Sequence, residues 1–153
     1  MKEFDYDLDY KRLDFTDEET RKLYRIGRGE QGVLLVRPYT NDICAHWRFK
    51  TPKIAMMSAH TIFDMYLDYL EQEDFIGMDM CRKFLEMGHT RSRRYANHNT
   101  GKKYDDEGKV RPQEPDHLTS KYAKSAQIFK KVRDIVAKNK TYVKMRKEWR
   151  ASE

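Results

Sequence analysis

Long apolar runs are missing from this sequence: no stretch of about 18 apolar residues occurs, so no segment is long enough for a membrane-spanning helix. The first ten residues, Met1 to Tyr10, are acidic and aromatic, the reverse of the basic-then-apolar order of a secretory leader, and secretion is not expected. Cysteine is nearly absent. Cys44 and Cys81 cannot build a framework of disulfide staples and read as reduced thiols in a cytosolic setting. Without a CxxC or HxxxH pairing, Cys44 with His46 and Cys81 with His89 make no zinc site, and no motif implies a cofactor. Aliphatic residues are also thin. Leu, Ile, Val and Phe together fall just under the roughly 20% level that warns of disorder, while 37% of residues are charged.

Aromatic and thioether side chains answer that warning. Ten Tyr, seven Phe, two Trp and eight Met supply large apolar bodies, and a domain of 153 residues buries roughly 70% of the surface its unfolded chain exposes. The chain therefore reads as one domain, 1–153, with an acidic arm over 1–15 and an exposed loop over 99–116. The net charge of +6 hides an asymmetry: residues 1–19 hold eight acids against three bases, residues 82–103 seven bases against one acid, and residues 109–153 thirteen bases against five acids.

Along the arm, Phe4, Tyr6, Leu8 and Tyr10 alternate with aspartates, the two-residue period of an extended segment with one apolar face. Thr16 and Glu19 match a capping box and predict a short helix over 17–24. Val33–Arg37, stopped by Pro38, and Ala45–Lys50 read as two short strands of a hairpin. Thr51-Pro52 opens a helix carrying Ile62, Met65, Tyr66, Tyr69 and Leu70, and Asp74 caps another with a stripe of Ile76, Met80, Phe84 and Met87. A long amphipathic helix from Leu118 to Val136 follows, with Asn139 as a break before Tyr142, Met145 and Trp149. The expected fold class is α+β: mainly helical, with a small N-terminal antiparallel sheet or hairpin.

Two motifs carry less chemistry than their letters promise. Gly27-Arg28-Gly29-Glu30-Gln31-Gly32 has dinucleotide-fingerprint spacing, but that site needs a strand before it and a helix after it. A glycine-rich loop between two strands, as in protein kinases, suits Val33–Val36 better, yet no VAIK lysine, HRD or DFG follows. Asp5, Asp7 and Asp9 begin like a calcium loop but lack the glycine and the bidentate Glu.

The densest group of recognition-type side chains is His89-Thr90-Arg91-Ser92-Arg93-Arg94-Tyr95-Ala96-Asn97-His98, followed by Lys102 and Lys103. Arginine is the informative residue, because its planar fork holds phosphate bidentately and stacks on bases. On a helix, Arg91, Arg94, Tyr95 and His98 share a face and Arg93 points elsewhere. The candidate phosphate-binding set is Arg91, Arg93, Arg94, Lys102 and Lys103, with Tyr95 and His98 as stacking partners and Arg28, Arg48 and Lys50 extending the surface. A solvated or ion-paired helix end is the alternative for the same residues.

The strings GRGEQGVLLV (27–36), HWRFKTPKIA (46–55), FIGMDMCRKFLEMGHTRSRRYANH (75–98) and GKKYD (101–105) resemble a family of short proteins from tailed phages, bacteria and some eukaryotes, a domain of unknown function (DUF4385). The resemblance runs nearly end to end. It implies one domain of this length and a phage origin, and carries no catalytic residue over. Cys81 stands where the family has an alanine, which speaks against a catalytic thiol.

Three functions fit these observations. The preferred one is an accessory protein that binds nucleic acid or another polyanion in the cytoplasm, the host's if phage-encoded. The second is a small enzyme acting on a phosphorylated metabolite or nucleotide, with the glycine-rich loop for phosphate and His46, His89 or His98 as acid or base. The third is a protein-interaction module or homo-oligomer without catalysis.

Overall fold

Local chemistry places six α-helices among the described residues. The computed structural model describes residues 2–153, and its helices are α1 (Glu18–Arg21), α2 (Tyr39–Cys44), α3 (Pro52–Glu71), α4 (Phe75–Asn97), α5 (Lys121–Lys138) and α6 (Lys140–Ser152). A 3-10 turn, Tyr10–Arg12, precedes them. Side-chain caps set the starts: Thr51 accepts from Ile54 N, with Pro52 in the first turn, Asp74 from Gly77 N, and Ser120 from Ala123 N. Asn139 both ends α5 and caps α6 through Tyr142 N, so the expected break falls there. No helix is long and apolar enough to cross a membrane among the described residues.

Helices α3, α4 and α5 pack on one another, and α6 lies against α4 and α5. Helix α4 is the central element. It buries fourteen residues, Asp79 and Lys83 among them. Its glycines set how closely neighbours approach: a Cβ on Gly77 would strike the ring of Tyr69 from α3, and one on Gly88 the ring of Phe129 from α5. Gly88 therefore lies within a continuous helix, where it admits an aromatic ring. The core is aromatic and thioether-rich, as composition implies. Phe75 stacks with Tyr142 at 5.8 Å and with Trp149 at 5.2 Å, joining the start of α4 to α6.

Residues 2–38 cover this bundle with turns and the short α1, burying Phe4, Tyr10, Phe15, Tyr24, Ile26, Val33 and Val36 in the same core. Here the expected α+β class is overturned: no sheet forms among the described residues, and the fold is all-α. The one ladder contact is an isolated antiparallel bridge, Tyr104 with Val110, in the loop that follows α4. Val33–Arg37 fails as a strand because its burial has a period of three, with Val33 and Val36 buried and Leu34 exposed. Its amides close turns instead, Val33 N to Glu30 O and Leu35 N to Gly32 O. Ala45–Lys50 likewise has no strand partner. Ser58 of α3 takes up its polar backbone, accepting from Arg48 N at 3.0 Å and donating to His46 O at 2.7 Å.

Smaller corrections follow the same logic. Asp17, not Thr16, caps α1, which is four residues long. In the arm Phe4 and Tyr10 are buried, but Tyr6 faces solvent, so strict alternation ends where the chain turns. Phe4 is seated over Gly32, whose φ of 76° and lack of a Cβ leave room for the ring.

Candidate functional site

The C-terminal third of α4 and the loop after it form a basic cleft of about 470 Å³. Arg93, Arg94, His98 and Lys103 line it together with His89 and Gln113. A smaller cleft of about 230 Å³ adjoins it through Thr90 and Arg94, and adds Arg91 and Glu30. Helical pitch explains the grouping. Arg91 and Arg94 are one turn apart on the exposed side of α4, while Ser92 and Ala96 lie on its buried side. Backbone bonds fold the loop back against the helix end: Gly101 N to His98 O at 2.7 Å and Glu114 N to Asn97 O at 2.8 Å.

None of Arg91, Arg93, Arg94, Lys102 and Lys103 forms an ion pair among the described residues. Arg93 donates to the Asn97 amide oxygen at 2.7 Å, a neutral partner that leaves its charge uncompensated. Glu30 lines the smaller cleft, and its carboxylate accepts a bond from Thr90 at 2.6 Å. Lys102 is exposed, and Lys103 sits 5.6 Å from the Tyr104 ring.

The remaining candidates do not join this surface as open groups. His98 was expected to stack on a base, but α4 ends at Asn97 and His98, its C-terminal cap, turns under the loop with 5% exposure. Its Nδ1 has no hydrogen-bond partner. Tyr95 is half-buried, its ring 5.3 Å from Tyr122 and 5.8 Å from Phe49, and it covers Gly101. Arg28 is paired with Glu3 at 2.9 Å. Arg48 folds back onto the carbonyls of Trp47 and Cys44 and lines another cleft with His46. Lys50 is exposed beside Phe49, with no polar partner among the described residues.

Sequence reasoning missed a buried charge network in the first half of α4. Asp79 is fully buried and accepts hydrogen bonds from the hydroxyls of Tyr24 and Tyr142 and from Arg82 Nε at 2.9 Å. Lys83, equally buried, lies 3.9 Å from the same carboxylate, donates to Gln31 O at 2.7 Å, and has the rings of Phe4 and Tyr24 within 5 Å. Burial raises the carboxyl pKa of Asp79, but Arg82, Lys83 and the two hydroxyls outweigh it and hold that pKa down at about 2. Burial pulls the Lys83 ammonium from 10.5 to about 7 against the attraction of Asp79. The same burial pushes the Tyr24 and Tyr142 hydroxyls up. The available signal was spacing: Asp79, Arg82 and Lys83 stand at i, i+3 and i+4 within an otherwise apolar run.

This network also settles what the glycine-rich segment does. Two of its amides are spent within the segment, Arg28 N on the Gln31 side chain and Gln31 N on Arg28 O, and its carbonyls reach outward: Gly27 O accepts from Arg150 at 2.8 Å, Gly29 O from Arg82 at 2.9 Å, and Gln31 O from Lys83. A phosphate cradle needs inward N–H groups, whereas this loop turns oxygens toward cations. The loop is thus an anchor for three basic side chains.

Comparison with known proteins returns one family model, described as Domain of unknown function (DUF4385), which matches residues 5–152. Neither the curated proteins nor the solved structures include a significant match.

Proposed function

The chain belongs to the DUF4385 family, a domain of unknown function, and from its geometry we propose that it is an accessory binding protein for nucleic acid or another extended polyanion. One observation carries this reading: three arginines and a lysine around two adjoining clefts form no ion pair with a carboxylate among the described residues. Other arginines of the fold are paired with acids, as Arg21 is with Asp74 at 2.7 Å and Arg133 with Glu86 at 2.6 Å, while Arg48 and Arg146 have no such partner among the described residues. Guanidinium groups without internal acceptors have N–H donors available for phosphate oxygens, and two or more in one groove track successive phosphates.

In this reading Arg91 and Arg94 grip the backbone from the helix, Arg93 and Lys103 from the cleft, and Lys102 from the loop. Tyr95 and His98 shape the groove from beneath. Five such contacts give log affinity a slope of about −4.5 against log salt on duplex DNA. Fluorescence anisotropy with a labelled oligonucleotide tests this. Arg91→Ala/Arg94→Ala should weaken binding more than about tenfold and flatten the slope by about 2. An unchanged affinity in a folded variant removes the proposal.

The reading as a small enzyme loses its phosphate loop, because the glycine-rich segment presents carbonyls. Of its three histidines, His46 lies in a different cleft from His89 and His98.

A further inference from the structure

A second basic cleft, of about 440 Å³, lies where α6 meets α4 and shares no lining residue with the two clefts at the end of α4. Its charged wall is Arg82, Arg146, Lys147 and Arg150, its apolar part includes Val143 and the buried Tyr142, and no carboxylate lines it. The volume falls within the range of small-molecule sites.

Two of its arginines are held in place before any ligand arrives. Arg82 is fixed by Asp79 at Nε and by Gly29 O at Nη1, which leaves Nη2 without a partner among the described residues. Arg150 is fixed by Gly27 O at Nη2, with Glu153 3.4 Å from Nη1, which leaves Nε without one. Both side chains are mostly buried, at 11% and 16% exposure. Such anchoring removes much of the rotamer entropy that a surface arginine loses on binding. Arg146 and Lys147 complete the wall and have no hydrogen-bond partner among the described residues.

The charges do not balance. Asp79 and Glu153 are the carboxylates bonded to this group, against the four lining cations Arg82, Arg146, Lys147 and Arg150. An excess of cations converging on a cleft with an apolar flank calls for an anion joined to an apolar body.

We propose that this cleft binds a small organic phosphate of nucleotide size, its phosphates held by Arg82, Arg146, Lys147 and Arg150 and its organic part against Val143. The glycine-rich segment acts indirectly, through the carbonyls that aim Arg82 and Arg150. This site is independent of the polyanion surface at the other end of α4.

Isothermal titration calorimetry of the full chain with ADP, in about 150 mM salt where loose surface attraction is screened, is the test. Saturable binding is expected, with adenosine binding more weakly. Arg146→Ala/Lys147→Ala should weaken ADP binding about tenfold or more, since charge-assisted contacts are lost. Lys147→Glu, a single exposed change, serves as a second variant, and near-ultraviolet circular dichroism checks that each is folded. Arg91→Ala/Arg94→Ala should leave ADP affinity unchanged. No heat from the wild type, full affinity in both cleft variants, or loss confined to the Arg91/Arg94 variant would each overturn the proposal.

Discussion

The two ends of α4 carry similar basic sequences and put them to opposite uses. Near its start, Arg82 and Lys83 surround the buried Asp79 and hold down the glycine-rich loop. Near its end, Arg91, Arg93 and Arg94 face clefts with no carboxylate bonded to them. The contrast teaches that a cation's role depends on what lies within a few ångströms of it. At the first end removal of a charge is a folding event, and at the second it is a binding event.

The largest expected effect breaks the first end. Asp79→Asn leaves Arg82 and Lys83 without their shared carboxylate and should cost about 3–5 kcal/mol in urea unfolding, because uncompensated buried charge is severely unfavourable. The next sharpens it through pH. Lys83 titrates near 7 when folded and near 10.5 when unfolded, so between those values the unfolded chain binds the extra proton. Stability should therefore rise as pH climbs from about 7 toward 10, by an amount on the order of 3 kcal/mol. Lys83→Met should flatten that rise in denaturation midpoints measured across the range. Below pH 4 the slope has the same sign for Asp79, whose lowered pKa makes its contribution fall away as pH drops toward 2.

Between the two ends stands Gly88. Gly88→Ala drives a methyl into the Phe129 ring and should destabilise by about 1–3 kcal/mol through overpacking. The smallest stability effect belongs to the second end. Arg91→Ala/Arg94→Ala should shift the unfolding free energy by no more than about 0.5 kcal/mol, since both side chains are exposed and unpaired.

How far this was legible from sequence differs by element. The starts of α3 and α4 were readable because Thr51-Pro52 and Asp74 are local capping signals. The hairpin was misread because Val33-Leu34-Leu35-Val36 is apolar at every position, and only tertiary contact decides that 33 and 36 turn inward together. Helix α2 was missed for a related reason: six residues hold too little periodicity. At the site, Arg91, Arg93 and Arg94 were visible as neighbours on one helix. Burial of His98 was not, since it depends on a loop folding back beyond the point where helical spacing applies. The roles of Arg82 and Lys83 were hidden because their partners, Gly29 and Gln31, lie more than fifty residues away.

The central claim, that the end of α4 is a phosphate-gripping surface, is tested most directly by the salt dependence of oligonucleotide binding in wild type and Arg91→Ala/Arg94→Ala. The account predicts a steep wild-type slope, reduced by about 2 in the variant, with a Tm unchanged within error. Equal slopes and equal affinities in the two folded proteins would contradict it.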